Sequence, residues 1–217
     1  MAREQRPRAL LRWCLAMLII APACFVLGIN LVITLPPHPA IPSADGTIAY
    51  FAYGSNMNDR YFTRIRGITR MSSEVASLPG YAVRFNLDGI AVLEPAFANL
   101  AAEDGATAYG ILHHLPTGEF SKIVGSEGDS YNIHDVSVVR SDGSTVTART
   151  LISEPSLDTP EVPSRRYLGY MHEAAQAYDM PAEVIDRYNP ENGAYVPVVS
   201  ELFGAAMHTM VWVTARL

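Results

Sequence analysis

The sequence predicts an α+β domain built on a small, curved sheet, preceded by one N-terminal transmembrane helix. Three observations predict it. Strand-like segments and helical stripes alternate in a mixed order, without the regular βαβ repeat of a parallel sheet. Ser141-Asp142-Gly143-Ser144 separates two β-branched runs and has the composition of a hairpin turn. An uncharged apolar run near the amino terminus stands apart from everything that follows. The 217 residues suffice for one domain with a proper core.

The amino terminus divides into a basic stretch (1–9), an apolar segment (10–35) and a Pro-rich linker (36–46), with the folded domain at 47–217. Arg3, Arg6, Arg8 and Arg12 lead into the apolar run, in which Pro22 and Asn30 are the costly residues. A run of this length can cross a bilayer, which takes about 20 apolar residues. Pro36-Pro37-His38-Pro39 then stops the helix and stiffens the spacer. Four readings stand in order: a signal anchor, a cleaved signal peptide, a lipoprotein signal ending at Cys24, and a soluble buried helix. The anchor leads because the run exceeds the span of a cleaved signal. After it, no Lys or Arg occurs until Arg60. The positive-inside rule therefore puts the amino terminus in the cytoplasm and the domain on the extracytoplasmic side of the cell membrane, with the lipid bilayer as partner of residues 10–35.

Two function classes are disfavoured by composition. Without residues 1–35 the chain keeps 12 basic and 21 acidic residues, a net charge of -9, the wrong sign for nucleic acid. The only cysteines, Cys14 and Cys24, lie in or beside the apolar run, so the domain has no disulfide or thiol chemistry.

Within the domain, residues 48–53 form an apolar run of strand formers. It breaks at Gly54-Ser55-Asn56, and Asn58 and Asp59 open a helical pattern with Tyr61, Ile65 and Ile68 on one face. Leu78-Pro79-Gly80 reads as a turn, and 81–87 as a strand with Val83, Phe85 and Leu87 on one face. Residues 94–99 read as irregular, passing into a polar loop through Asp104-Gly105. Residues 106–115 form the next strand. Thr117 caps a short helical piece (118–124) that buries Phe120 and Ile123, and Gly125-Ser126-Glu127-Gly128 interrupts it. Strands follow at 136–139 and 146–152, then a polar loop at 155–163. Ser164 is an N-cap for a stripe of Tyr167, Leu168, Met171, Ala174, Ala175 and Tyr178. Pro181 opens another helix carrying Val184, Ile185 and Tyr188. Beyond Asn192-Gly193 the pattern is ambiguous: 201–208 suits a helix and 210–214 a strand.

The chemistry centres on the break after the first strand. Strand, small polar turn and helix start present backbone N–H groups to whatever sits above them, a place that favours anions. The run Phe51-Ala52-Tyr53-Gly54-Ser55-Asn56-Met57 resembles the opening motif of the gamma-glutamylcyclotransferase family, F-x-Y-G-S-N-[LM]. The likeness continues in order: Leu78-Pro79-Gly80-Tyr81 with Phe85; Tyr109-Gly110-Ile111-Leu112; Glu127-Gly128, Tyr131 and Val136, similar to an E-G-x-x-Y segment; Pro163-Ser164 with Tyr167 and Leu168; and Met180-Pro181. It covers roughly residues 47–188. Val124 departs from it where Asp is usual, as does Glu173 where glycine is common.

The resemblance implies that the small mixed, curved sheet is a compact barrel with flanking helices, and that the protein is an enzyme that cyclises a gamma-glutamyl amine or peptide to 5-oxoproline, releasing the amine. It implies Glu127 as general acid/base and Tyr53, Gly54, Ser55, Asn56, Met57, Tyr131 and Tyr167 as substrate-binding residues. It implies no cofactor and no metal, because the substrate's own amine is the nucleophile. The residues by themselves agree on metals: His113 and His114 point to opposite faces of a strand, and His134, His172 and His208 lack ligand spacing. Two rivals stay open: a non-catalytic carboxylate- or gamma-glutamyl-binding module, and a transferase that removes a gamma-glutamyl protecting group in biosynthesis.

Overall fold

The first strand, β1 (Thr47–Ala52), carries the apolar run of the opening motif, and Phe51 and Ala52 are wholly buried. It pairs antiparallel with β3 (Glu94–Pro116), Phe51 lying opposite Leu112. β3 pairs antiparallel with β2 (Ser72–Ile90), which pairs with β4 (Asn132–Arg140), and β4 with β5 (Thr145–Ile152). β5 returns to β1 in parallel at Tyr50↔Arg149, which closes a five-stranded barrel in the order β1-β3-β2-β4-β5. The computed structural model describes residues 46–127 and 131–214. Residues 10–35, and with them the expected transmembrane segment, lie outside the described residues. Among those described, no helix is long and apolar enough to cross a membrane.

The barrel and flanking helices match the expected fold class, with corrections in detail. β2 runs straight through Pro79-Gly80, where a turn is expected. The ladder absorbs both residues at an irregularity: Pro79 pairs with Thr107 and Tyr81 with Ala102, so residues 103–106 bulge opposite Gly80, whose φ is +77. The expected irregular segment 94–99 and the polar loop at 104–105 are likewise parts of the single strand β3. A second irregularity between Arg84 and Leu87 changes which residues face inward, so Val83 and Leu87 are buried while Phe85 is only partly so. Turn-like residues are tolerated here because two long strands pair over most of their length and bulges take up the mismatch.

The helix after the first motif is a single π-helical turn, Arg60–Ile65, preceded by a 3-10 turn, Ser55–Met57. Its different period buries Phe62, while Tyr61 and Ile65 remain half-buried. Helix α1 (Thr117–Glu127) buries Phe120, Ile123 and Val124 and continues through Gly125 to Glu127, so the expected interruption is absent. Ser164 caps α2 (Arg165–Ala177) as expected: its hydroxyl accepts from the Tyr167 amide at 3.0 Å, and the Tyr167, Leu168, Met171, Ala174 and Ala175 stripe is buried. Pro181 stands at the N-cap of α3 (Ala182–Arg187). The ambiguous carboxyl-terminal stretch is one helix, α4 (Val199–Thr214), with no strand.

Candidate active site

At one end of the barrel a cavity of about 460 Å³ opens between the first turn, the end of α1 and helices α2 and α4. Tyr53, Gly54, Ser55, Asn56, Glu127, Tyr131 and Tyr167 all line it. Met57 does not: it is wholly buried in the core, so its expected binding role is corrected to packing beneath the turn. The physical reason is the tightness of the 3-10 turn, closed by the Met57 amide on the Gly54 carbonyl at 3.0 Å, which turns the fourth residue inward.

The turn is built around glycine. A Cβ on Gly54 would stand 2.7 Å from the Tyr167 hydroxyl, which also accepts from the Ala98 amide at 3.3 Å. The first amides of a helical turn have no partner within it, and Ser55 and Asn56, which open this turn, line the cavity. Burial pushes the Tyr167 hydroxyl above its ordinary range, and burial together with the Glu127 carboxylate does the same at Tyr131. Both phenols therefore stay protonated and remain donors through the neutral range. Tyr53, also raised by burial, donates to the Leu151 carbonyl and braces the turn against β5.

Glu127 occupies the last turn of α1, its side chain one quarter exposed. Arg66, whose side chain is 7% exposed, is paired with Glu127 Oε1. The Asn56 side-chain amide donates to the same oxygen at 3.2 Å and to the Tyr50 hydroxyl at 3.0 Å. Arg66 also donates to Asn56 Oδ1 at 2.6 Å and to the Ser126 hydroxyl at 2.8 Å. Among the described residues nothing bonds to Glu127 Oε2. One carboxylate oxygen is thus fixed while the other has no bond among the described residues, which suits a group that must accept a proton and return it. Val124, the departure three residues earlier, faces the core at 5% exposure, and Glu127 takes its support from Arg66 and Asn56 instead. Glu173, the second departure, accepts from Asn58 at 3.0 Å and so ties α2 to the motif turn.

No family model matches the sequence. Gamma-glutamyl cyclotransferase aclK of Aspergillus oryzae is 26% identical over 196 residues, 79% of this chain and 71% of that protein. Curated relatives named gamma-glutamyl cyclotransferase support the gamma-glutamylcyclotransferase family for this chain. The names of these relatives likewise support an enzyme of that family. Gamma-glutamyl cyclotransferase gliK of Aspergillus fumigatus is 27% identical over 197 residues, 76% of this chain and 71% of that one. In three dimensions the fold is shared with a gamma-glutamyl cyclotransferase at TM-score 0.53 and 18% identity, over 73% of this chain and 99% of that one. A human protein shares it at TM-score 0.57 and 18% identity, over 73% of this chain and 98% of that one.

Sequence reasoning about the family motifs missed Arg66, the residue that grips Glu127. The available signal was slight: an arginine four residues after Phe62, on a segment whose other face carried the apolar pattern. It also missed Tyr50, Tyr61, Ser126, Tyr170, Arg166 and His208, all of which line the cavity. These come from five separate elements, and only the closure of the barrel and the packing of α2 and α4 bring them together.

Proposed function

We propose that this family member cyclises gamma-glutamyl amines or peptides to 5-oxoproline with Glu127 as general acid/base. The observation that carries the reading is Glu127 itself: it faces the cavity beside the Gly54-Ser55-Asn56 turn, with one oxygen fixed by Arg66 and Asn56 and the other without a bond among the described residues. The turn's Ser55 and Asn56 amides would hold the substrate α-carboxylate, as exposed amides at a helix start favour an anion.

The substrate's α-ammonium gives a proton to Glu127. The freed amine attacks its own γ-carbonyl carbon, forming the lactam C–N bond, and the original amide C–N bond breaks. The attacking nitrogen sheds two protons overall and the leaving nitrogen gains two, so the products are 5-oxoproline and an ammonium-bearing leaving group. Glu127 carries protons from one nitrogen to the other. The protonated Tyr131 and Tyr167 hydroxyls supply donors for the carbonyl oxygen as negative charge grows on it. Much of the acceleration comes from holding a flexible chain in its ring-closing shape.

Residues 10–35 are further proposed to tether this domain to the cell membrane on its extracytoplasmic side, on the strength of the uncharged run and the arginines before it. Protease added to intact cells stripped of their outer layers should digest the domain; protection until lysis would reject that orientation. For the reaction, the full chain is incubated with a panel of gamma-glutamyl amines and peptides and 5-oxoproline is measured by mass spectrometry. Its release from at least one compound is expected. Binding without turnover across the panel would replace the enzyme with a binding module.

A further inference from the structure

Behind the motif turn, on the barrel wall beneath the π-helical turn, lies a histidine that the proposed reaction does not use. His113 is wholly buried on β3, with Tyr50 of β1 and Ser73 of β2 as its cross-strand neighbours. Its ring stacks on Phe62 at 4.3 Å between centroids and 9° between planes. Nε2 lies 3.1 Å from the Asn56 carbonyl oxygen, and Nδ1 lies 2.7 Å from the Ser73 hydroxyl. A carbonyl can only accept, so Nε2 carries the hydrogen, Nδ1 is the acceptor, and Ser73 donates to it.

We propose that His113 is a positioning residue for Glu127: it clamps the Asn56 carbonyl from the barrel wall, and Ser73 sets the tautomer that lets it do so. This rests on the reading of Glu127 as the acid/base. The chain of contact is short. The Asn56 carbonyl is held by His113, and the Asn56 side chain holds Glu127 Oε1, Arg66 and the Tyr50 hydroxyl. Asn56 would otherwise be free to rock on a three-residue turn, and both the side chain that orients Glu127 and the amides offered to the substrate would move with it. An apolar residue could fill the space between Phe62 and Tyr50 without burying two ring nitrogens. Burying them is tolerated because both are bonded, and what that arrangement adds is direction. Burial also drives the imidazole pKa down to about 4, with Arg70 and His114 pushing the same way and the Asn56 carbonyl and Asp59 opposing, so the ring stays neutral as the clamp requires.

The test uses the full chain. His113→Asn is too short to reach the Asn56 carbonyl and is expected to lower kcat by roughly 10–100-fold, the scale of a misplaced catalytic group. His113→Gln places an amide nitrogen close to the position of Nε2 and should recover most of that loss. The effects of His113→Asn and Asn56→Ala on kcat should be strongly non-additive, because one acts through the other. Losses that simply multiply, or a Gln variant no better than the Asn variant, would reduce His113 to packing and overturn the proposal. A readout without turnover is NMR. The imidazole ¹⁵N shifts should show the Nε2–H tautomer, and the Asn56 side-chain amide resonances should move in His113→Asn and not in His113→Gln. The opposite tautomer, or unmoved Asn56 resonances, would overturn the clamp even if the chain turned over no gamma-glutamyl compound, an outcome that would separately refute the proposed reaction.

Discussion

Two arginine–glutamate pairs stand beside the same cavity and differ in one respect. In the first, Arg66 and Asn56 hold Oε1 of Glu127 while Oε2 has no bond among the described residues, and the carboxylate side chain is 25% exposed. In the second, Glu94 is 2% exposed: Ser164 donates to Oε1, and Arg166 reaches Oε2 with Nε at 3.1 Å and with Nη2. Arg166 lines the cavity, but Glu94 does not. The comparison teaches that charge and burial do not mark the reactive carboxylate. A carboxylate with both oxygens saturated is a brace, here joining the start of β3 to the start of α2. A carboxylate with one oxygen fixed and one open to a cavity can exchange a proton at a defined place.

The largest effect expected from this contrast is at Glu127→Gln. It keeps size and hydrogen bonding but removes the base, so turnover should fall by roughly 10²–10⁴-fold, with binding of 5-oxoproline little changed. Steady-state kinetics on any accepted gamma-glutamyl compound checks it, and activity within a few-fold of the parent would erase the distinction between the two pairs. Glu94→Gln should show the inverse pattern. It leaves Arg166 short of its counter-charge, and stability should drop by about 3–5 kcal/mol, as when one member of a buried pair is lost. Denaturant titration measures that drop, while kcat per folded molecule should stay within a few-fold.

Acid should loosen the Glu127 side from behind. The folded pKa of His113, about 4, lies below its ordinary 6.5. Between those values the unfolded chain binds a proton that the folded chain refuses. The His113 contribution is therefore fully present above pH 6.5 and lost as pH falls toward 4, up to about 3 kcal/mol for this group. Thermal melts of the parent and of His113→Gln across that window isolate it: the parent should lose stability more steeply. The smallest effect concerns the turn in front. Gly54→Val would press on the Tyr167 hydroxyl and obstruct the backbone approach that glycine allows. Calorimetry with 5-oxoproline should show at least about tenfold weaker binding with the fold kept, a loss near 1.4 kcal/mol. Unchanged affinity would move the anion site away from the turn.

What the sequence by itself determined is what short-range physics encodes. The strand–turn transition at Gly54, the Ser164 cap with its buried stripe, and the hairpin at 141–144 each depend on residues within a few positions, and each stands where the pattern puts it. The family motifs likewise pointed to Glu127 and to the turn residues that line the cavity. Tertiary structure alone decided the rest. Residues 72–116 form two long strands because pairing outweighs the local turn signal of Pro79-Gly80 and the polar segment near Gly105. The carboxyl-terminal stretch forms a helix where its local pattern was divided between helix and strand. Above all, Glu127 and Glu94 are both glutamates near small or polar neighbours in the sequence. Their partners lie 61 and 72 residues away, Arg66 for one and Arg166 for the other. No local rule reaches that far, so only the folded barrel distinguishes the carboxylate with an open oxygen from the one that is fully bonded.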